Sequence, residues 1–123
     1  MIHLDTSFLV RALVRDSPGD RRLRAWLAAS EAIAMSTIAW AEFLCGPVEP
    51  VFLELVVRIV PRRVALGEEE ALLSARLFNE TGRRRGSLAD CMIAATAICA
   101  QARLATENAV DFRRFQAAGL QLA

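Results

Sequence analysis

The stretch from Gly86 to Ala102 reads GSLADCMIAATAICAQA and carries the clearest structural pattern in the chain. After Asp90 come twelve residues without a charge, rich in Ala and Ile, which are apolar on every side of a helical wheel. A helix of this kind is normally buried, and twelve residues are too few to span a membrane. The stretch therefore predicts a buried helix that begins with an ionisable carboxylate.

Asp90 has two interpretations at this point. Ser87 and Asp90 have the spacing of a capping box, and an acid in the first turn also suits the helix dipole, which would make Asp90 structural. Alternatively, Asp90 belongs to a site, which requires lone acids beside other apolar runs. The loop before the helix carries Arg83, Arg84 and Arg85, which either are simply solvated or contact phosphate groups.

Outward from this helix, short apolar runs alternate with helical patterns along the whole chain. Strands are predicted at 2–4, 32–35, 103–106 and 119–122, with a strand or extended link at 57–61. Helices are predicted at 8–13, 21–29, 38–44, 49–57, 67–79 and 111–115. Such alternation predicts an α/β fold with a mostly parallel sheet and helices on both faces. At 123 residues, we expect one domain spanning 1–123.

Three finer details of these elements are also predicted. Thr6 or Ser7 is expected to cap the first helix, and Ser36 or Thr37 the helix at 38–44. The core-facing side of the helix at 67–79 is expected to consist of Leu72, Ala75, Leu77 and Phe78.

The composition excludes several classes of protein. A formal net charge of +1 lacks the basic excess of a non-specific nucleic-acid binder, and a hydrophobic fraction of 54% is ample for one core. The three cysteines, Cys45, Cys91 and Cys99, are odd in number and lie in apolar surroundings, which predicts reduced core thiols. Because no signal-peptide or membrane-span pattern is present, we expect a soluble cytoplasmic protein.

Several acids follow apolar runs, as a site at one edge of a sheet requires. Asp5 ends the first strand, although it would also serve as a simple helix cap, and Glu42 is a lone acid in an apolar helix. Asn108 and Asp111 follow the strand at 103–106. Strand-to-helix turns meet at one edge of a parallel sheet, so all of these and Asp90 are expected to converge.

A cluster of carboxylates without basic neighbours in sequence suggests a bound cation. Like charges repel unless a cation lies among them, and hard oxygen ligands suit Mg²⁺ or Mn²⁺. The single histidine, His3, lies within the first strand and is predicted to be structural. Such a metal site activates water for attack at phosphorus, which would give the arginine loop a role in holding phosphate.

Four motifs carry a resemblance to a known family. They are IHLDTS at 2–7, AWAEF at 39–43, RGSLADCMIAATA at 85–97 and LATENAVDF at 104–112. In this order and spacing they resemble the PIN-domain family, in particular the VapC-type toxins of toxin–antitoxin pairs. The resemblance implies a three-layer α/β/α fold and a metal-dependent endoribonuclease that cuts RNA with Mg²⁺ or Mn²⁺.

The resemblance also implies roles for individual residues. Asp5, Glu42 and Asp90 match the metal-binding acids of the family, and Thr6 matches a hydroxyl that supports the site. Asn108 matches a further ligand position and Asp111 an acid three residues on. A neutral Asn108 would ligate only through its carbonyl or through water, which leaves one or two metal ions as alternatives.

The resemblance further implies two protein partners. VapC-type toxins form homodimers and are held inactive by a VapB-like antitoxin, whose C-terminal segment lies along a groove and brings a basic residue to the acids. Apolar residues on the early helices are candidates for that groove, although core packing is the more common role of any single one; they are Phe8, Trp26, Leu27 and Trp40.

Two other functions compete with the nuclease. A catalytically silent PIN-like module would bind RNA or a protein partner without cutting, although intact acids at three main positions argue against it. A receiver domain also places acids at strand ends around Mg²⁺, but it requires a lysine near its end. This chain has fifteen basic residues of the Lys and Arg type, all of them Arg, which argues against a receiver.

Overall fold

Five short strands form a single parallel sheet in the computed structural model, which describes residues 1–123. The order across the sheet is β3-β2-β1-β4-β5, so β1 lies at the centre. The chain builds outward from β1 to β3 and then returns to the other side of β1 with β4. The strands are β1 (Ile2–Leu4), β2 (Ile33–Ser36), β3 (Arg62–Val64), β4 (Arg103–Ala105) and β5 (Gln121–Leu122).

Helices connect the strands and cover both faces of the sheet, which confirms the predicted three-layer α/β/α architecture. They are α1 (Thr6–Ala12), α2 (Pro18–Ala28), α3 (Thr37–Cys45), α4 (Pro50–Ile59), α5 (Glu68–Glu80), α6 (Leu88–Cys99) and α7 (Ala109–Phe112), followed by a 3₁₀ helix (Arg113–Ala118). Parallel strands require such crossovers, and crossovers in both directions from β1 place helices on opposite faces. No helix is long and apolar enough to cross a lipid bilayer.

Helix α6 is the buried helix that the sequence predicts. Cys91 and every residue from Ile93 to Ala97 are buried, in contact with α5, α3 and the sheet. Three of these residues are alanines, whose small side chains allow neighbouring backbones to approach closely. Thr96 is also buried, and its hydroxyl donates to the carbonyl oxygen of Met92 at 2.8 Å, which satisfies it within the helix.

The prediction at 57–61 was wrong. Helix α4 continues to Ile59, and the strand begins only at Arg62, beyond Pro61. Pro61 has no N–H to donate to a strand ladder, so it lies before the strand rather than within it. The residues from Val57 to Ile59 that suggested a strand are the last turn of an amphipathic helix, and Val56 within the helix and Val60 directly after it are buried.

Two packing predictions were also wrong. Leu72 is 69% exposed and Ala75 is exposed, because the core-facing side of α5 is shifted by about one residue and consists of Leu73, Ser74, Leu77 and Phe78. Cys91 is buried and Cys99 is half-buried, but Cys45 is exposed at the end of α3. The three cysteines are free thiols, as predicted.

Candidate active site

The candidate site lies where the strand order changes direction. Chain segments leave the carboxyl ends of β1 and β4 toward opposite sides, and open α/β sheets form their ligand-binding crevice at this position. Asp5 follows β1 and Thr106 follows β4, so both begin the loops that line the crevice.

Asp5 is a buried carboxylate, only 5% exposed, that is held by hydrogen bonds. Its Oδ1 accepts from the backbone N–H of Thr6 at 2.9 Å, so Asp5 rather than Thr6 or Ser7 caps α1. Its Oδ2 accepts from the hydroxyls of Ser7 at 2.8 Å and Thr106 at 2.7 Å. No basic group lies within salt-bridge distance of Asp5, so its negative charge is not neutralised by a neighbour.

The two hydroxyls also hold the turn that follows β4. Ser7 Oγ accepts from the backbone N–H of Glu107 at 3.1 Å, and Thr106 Oγ1 accepts from that of Asn108 at 3.0 Å. Each hydroxyl therefore donates to Asp5 and accepts from the turn. Sequence reasoning missed both residues, although a Ser or Thr just after each of two adjacent parallel strands was the available signal.

Thr6 connects α1 to the helix that carries Glu42. Its hydroxyl donates to the carbonyl oxygen of Ala39 at 2.8 Å, one turn before Glu42 in α3. Partial burial raises the pKa of Glu42, and the carboxylates of Asp5 and Asp90 raise this pKa further, while the nearby Thr6 hydroxyl opposes the shift. Glu42 is thus within electrostatic reach of both other acids.

Asp90 faces the same group of acids. Burial raises the pKa of Asp90, Asp5 and Asp111 raise it further, and Arg114 opposes them. The predicted capping box does not form: Ser87 has helical backbone angles, and its hydroxyl donates to the carbonyl oxygen of Arg84 at 2.7 Å instead of capping α6. The Asp90 carboxylate is therefore not engaged by the backbone of the first turn.

A family model described as the PIN domain matches residues 2–118. The chain belongs to the PIN domain family. No curated protein matches this sequence. The similarity to this family thus extends beyond the four short motifs to nearly the whole chain.

Three solved structures with the same fold illustrate the similarity. VapBC2 from Rickettsia felis bound to a promoter DNA fragment has a TM-score of 0.76 and 23% identity, covering 100% of this chain and 98% of that chain. FitAcB from Neisseria gonorrhoeae has a TM-score of 0.72 and 25% identity, covering 99% of this chain and 96% of that chain. VapBC-1 from nontypeable Haemophilus influenzae has a TM-score of 0.74 and 24% identity, covering 100% of this chain and 97% of that chain.

The loop before α6 divides its three arginines between two environments. Arg83 turns back onto α5, where its guanidinium donates to Asn79 Oδ1 at 2.9 Å and lies 5.8 Å from the centre of the Phe78 ring. Arg84 and Arg85 instead line a polar cavity of this PIN domain. That cavity has a volume of about 170 Å³ and is formed by Arg84, Arg85, Gly86, Ser87, Asp90, Asp111 and Arg114.

Asp111 and Asn108 occupy different places around the acids. Asp111 is exposed, lines the polar cavity and acts on the pKa of Asp90. Asn108 is exposed at the start of α7, where its side chain makes no capping hydrogen bond. Of these two residues, Asp111 is therefore the one that lies with Asp90.

Arg114 is a basic neighbour that was not expected from the sequence. Its Nη2 lies 3.8 Å from Asp90 Oδ2, so the acids of this PIN domain are not entirely without a positive charge. The 3₁₀ helix after α7 brings Arg114 to α6 from 24 positions further along the chain. The sequence separation from Asp90 gave no signal for this contact, although Arg114 lies only three residues from Asp111.

No three Asp, Glu, His or Cys side chains come close enough to form a complete metal-binding group. The donors nevertheless fit Mg²⁺ or Mn²⁺, because both ions prefer carboxylate oxygens and Mg²⁺ commonly uses only one or two carboxylates with waters completing its shell. Asp5 is buried without a counter-charge, and burial followed by the negative charge of Asp5 raises the pKa of both Glu42 and Asp90. A divalent cation would relieve both costs.

The predicted groove residues differ in exposure. Phe8 is fully buried in the core, which excludes it from the groove and agrees with the alternative of core packing; Trp26 and Trp40 are half-buried, and Leu27 is exposed. Two apolar cavities flank α1, one against α2 and α4 and one against α3 and α4. Exposed side chains at their edges are Val10, Leu27, Phe52 and Leu55.

Proposed function

We propose that this PIN domain is a metal-dependent endoribonuclease that hydrolyses RNA phosphodiester bonds. The observation that carries the proposal is the buried, un-neutralised Asp5 at the switch point of the sheet, with Glu42 and Asp90 within electrostatic reach. Repulsion between carboxylates at one place destabilises the fold, so a bound cation is the simplest reason for their presence there.

The ligands proposed for Mg²⁺ or Mn²⁺ are Asp5 and Asp90, with Glu42 and Asn108 completing the set directly or through water. When bound, such an ion supplies activation of water for attack at phosphorus and stabilises the oxygens that gain charge. Asp111 is proposed as the fourth catalytic acid because it lines the polar cavity beside Asp90.

The surrounding residues of the chain hold these groups in place. Ser7 and Thr106 fix the Asp5 carboxylate between β1 and β4, and Thr6 supports the site by joining α1 to α3. Arg84 and Arg85 are the proposed contacts to RNA phosphates, because both line the polar cavity. Arg83 is less available for such a contact, because its guanidinium is hydrogen-bonded to Asn79 on α5.

The decisive experiment measures cleavage of total bacterial RNA by the purified chain with Mg²⁺, with Mn²⁺ and with EDTA. We expect cleavage only with metal, and loss of about a hundredfold or more in Asp5→Asn, since this removes a metal-binding charge without changing side-chain size. Glu54→Gln, an exposed acid on α4, is the matched control and should cleave normally.

A binding readout separates loss of metal from loss of fold. Mn²⁺ should raise the thermal midpoint of the wild type and of Glu54→Gln, because a ligand of the native state stabilises it. The midpoint of Asp5→Asn should not respond. Cleavage that persists in EDTA and in Asp5→Asn would contradict the proposal and indicate a contaminating ribonuclease.

A catalytically silent PIN-like module is the second candidate. It is favoured by one observation, namely that no three potential ligands form a complete metal-binding group. RNA binding by the folded chain without cleavage in either metal would support the silent module over the nuclease.

We also propose that the chain is the toxin of a toxin–antitoxin pair, acting in the cytoplasm as a homodimer. Support comes from the names of the structures with the same fold, which are VapBC and FitAB complexes. A VapB-like antitoxin segment would lie on the apolar cavities beside α1, whose edges expose Val10, Leu27, Phe52 and Leu55. Co-expression with the cognate antitoxin should yield a stable complex that no longer cuts RNA.

A further inference from the structure

Arg114 is the only arginine of the chain with a buried nitrogen that has no hydrogen-bond partner. Its side chain is only 17% exposed, and its guanidinium lies 4.7 Å from the centre of the Phe115 ring. Its Nε is buried and has no hydrogen-bond acceptor. Burying a charged group with an unsatisfied donor costs free energy, so the position of Arg114 requires an explanation.

The contact of Arg114 with Asp90 does not use its donors fully. The single N–O distance of 3.8 Å exceeds hydrogen-bond length, whereas a well-formed Arg–carboxylate pair makes two parallel bonds of about 2.8 Å. Arg114 is therefore pre-positioned beside Asp90 with donors still available to another acceptor.

The polar cavity has the charge and size for a small anion. Its seven lining residues include no hydrophobic side chain, and Arg84, Arg85 and Arg114 outnumber Asp90 and Asp111. Arg84 and Arg85 form no salt bridge, and both are exposed. A volume of about 170 Å³ is sufficient for a phosphate group.

We propose that Arg114, together with Arg84 and Arg85, forms a phosphate subsite that holds an RNA backbone phosphate next to the bond that is cut. This inference rests on the proposed nuclease function. The planar fork of Arg binds phosphate bidentately, and three such forks around one cavity would set the position of the strand relative to Asp90. Arg114 is thus a binding and positioning residue rather than a partner of Asp90 alone.

The test measures RNA binding in the Asp5→Asn background, where cleavage does not interfere. The probe is a fluorescent single-stranded RNA of about twelve nucleotides, long enough to cover one domain, and anisotropy is followed over a range of salt concentrations. Arg114→Gln should weaken binding about tenfold and reduce the slope of log affinity against log salt by about 0.7, the value for one phosphate contact on a single strand.

Three further variants make the result specific. Arg113→Gln removes the same charge from the exposed neighbouring residue outside the cavity and should leave affinity and slope unchanged. Arg114→Lys keeps the charge without the fork and should keep the slope while losing part of the affinity. Arg84→Gln, exposed and tolerant of change, should reproduce the reduced slope even if Arg114→Gln folds poorly.

The failure of this inference is distinguishable from the failure of the nuclease proposal. If the wild type cuts RNA with metal but Arg114→Gln and Arg84→Gln bind RNA with unchanged slope, the phosphate subsite is refuted and the nuclease stands. If Arg114→Gln lowers only the thermal midpoint, Arg114 is a structural partner of Asp90. If the wild type neither binds nor cuts RNA, the nuclease proposal itself fails.

Discussion

Asp5 keeps a buried charge in place through three hydrogen bonds and without a counter-ion. Two of the three donors are hydroxyls, and each of these hydroxyls also accepts a backbone N–H of the turn after β4. Charge-assisted hydrogen bonds of this kind offset part of the cost of burial, and the remainder is what a bound cation would remove. The position of the carboxylate thus depends on residues from two loops.

Thr106→Val tests this dependence directly. The variant keeps the branched shape but removes one donor to Asp5 and one acceptor for Asn108, so we expect it to lose about 2 kcal/mol of unfolding free energy. RNA cleavage should fall as well, because the Asp5 carboxylate is less well oriented. Urea unfolding and initial cleavage rates provide the measurements.

Thr106→Ser is the matched control, since it retains the hydroxyl and should preserve most of both stability and cleavage. Equal cleavage by the Val and wild-type proteins would show that Asp5 does not need the Thr106 hydroxyl.

His3 should make stability depend on pH. It is 1% exposed with neither ring nitrogen hydrogen-bonded, and burial, followed by Arg62 and the N-terminal amine, lowers its pKa from 6.5 to about 4. Between these values the unfolded chain binds a proton that the native state does not, so stability is full above pH 6.5 and falls as the pH drops toward 4. Between pH 7 and pH 5 the loss should be about 2 kcal/mol.

His3→Leu provides the comparison for this prediction. Leu does not titrate and needs no hydrogen bond, so the difference in unfolding free energy between wild type and variant should change by the same amount over this pH range. The comparison is necessary because the raised pKa values of Glu42 and Asp90 act in the opposite direction in both proteins. A constant difference from pH 7 to pH 5 would show that His3 remains neutral in both states or charged in both.

Individual site residues differ in how far the sequence could reveal them. Asp5 and Asp90 stand out because each interrupts an apolar run, and Glu42 because it is the only charge in its helix. Thr106 had a weaker local signal. Arg114 had none, because its approach to Asp90 depends on the path of a short 3₁₀ helix that hydropathy and periodicity do not determine.

At the scale of elements, two serines at helix starts behave differently. Ser36 caps α3 by accepting from the backbone N–H of Ala39 at 3.0 Å, as the sequence predicted, whereas Ser87 makes no cap for α6 and bonds into the arginine loop instead. The spacing of a capping box was present at Ser87 but was not used. Local spacing identifies where a helix begins more reliably than it identifies which groups are bonded there.

Ser36→Ala should therefore weaken α3, the helix that carries Glu42. Loss of the cap is expected to cost about 1 kcal/mol, while Ser36→Gly should cost only a few tenths because Gly is itself tolerated at this position. Thermal or urea unfolding of the two variants measures the difference. If Ser36→Ala is as stable as the wild type, the Ser36 hydrogen bond does not contribute to the stability of α3.

The boundary between α4 and β3 shows why element limits were harder to predict than element types. The run Val57-Arg-Ile-Val60 is apolar and β-branched, which suits a strand, but it continues the apolar side of α4. Tertiary packing of Val56 and Val60 decides the outcome. In α5, similarly, Leu72 and Leu73 are adjacent and only packing determines that Leu73 is the one turned inward.

At the scale of the whole molecule, the alternation of strands and helices was sufficient to predict an α/β fold with a parallel sheet. The strand order was not predicted, and it is the order that places the ends of β1 and β4 side by side and so creates the site. Pairing between segments about a hundred residues apart, such as His3 with Leu104, is not encoded in either segment alone.

Substitutions in the apolar cavities beside α1 should weaken partner binding without changing catalysis. Leu55→Asp places a charge on an exposed residue of α4 in the proposed antitoxin groove, away from the acids. Since burial of a Leu contributes about 2 kcal/mol, the variant should bind the cognate antitoxin at least tenfold more weakly, yet cut RNA as wild type does once antitoxin is removed. Leu72→Asp, also on an exposed residue but on α5, is the control and should be inhibited normally. If Leu55→Asp is still fully inhibited, the antitoxin acts through another surface, because a charge cannot be buried in an apolar contact without a measurable loss of affinity.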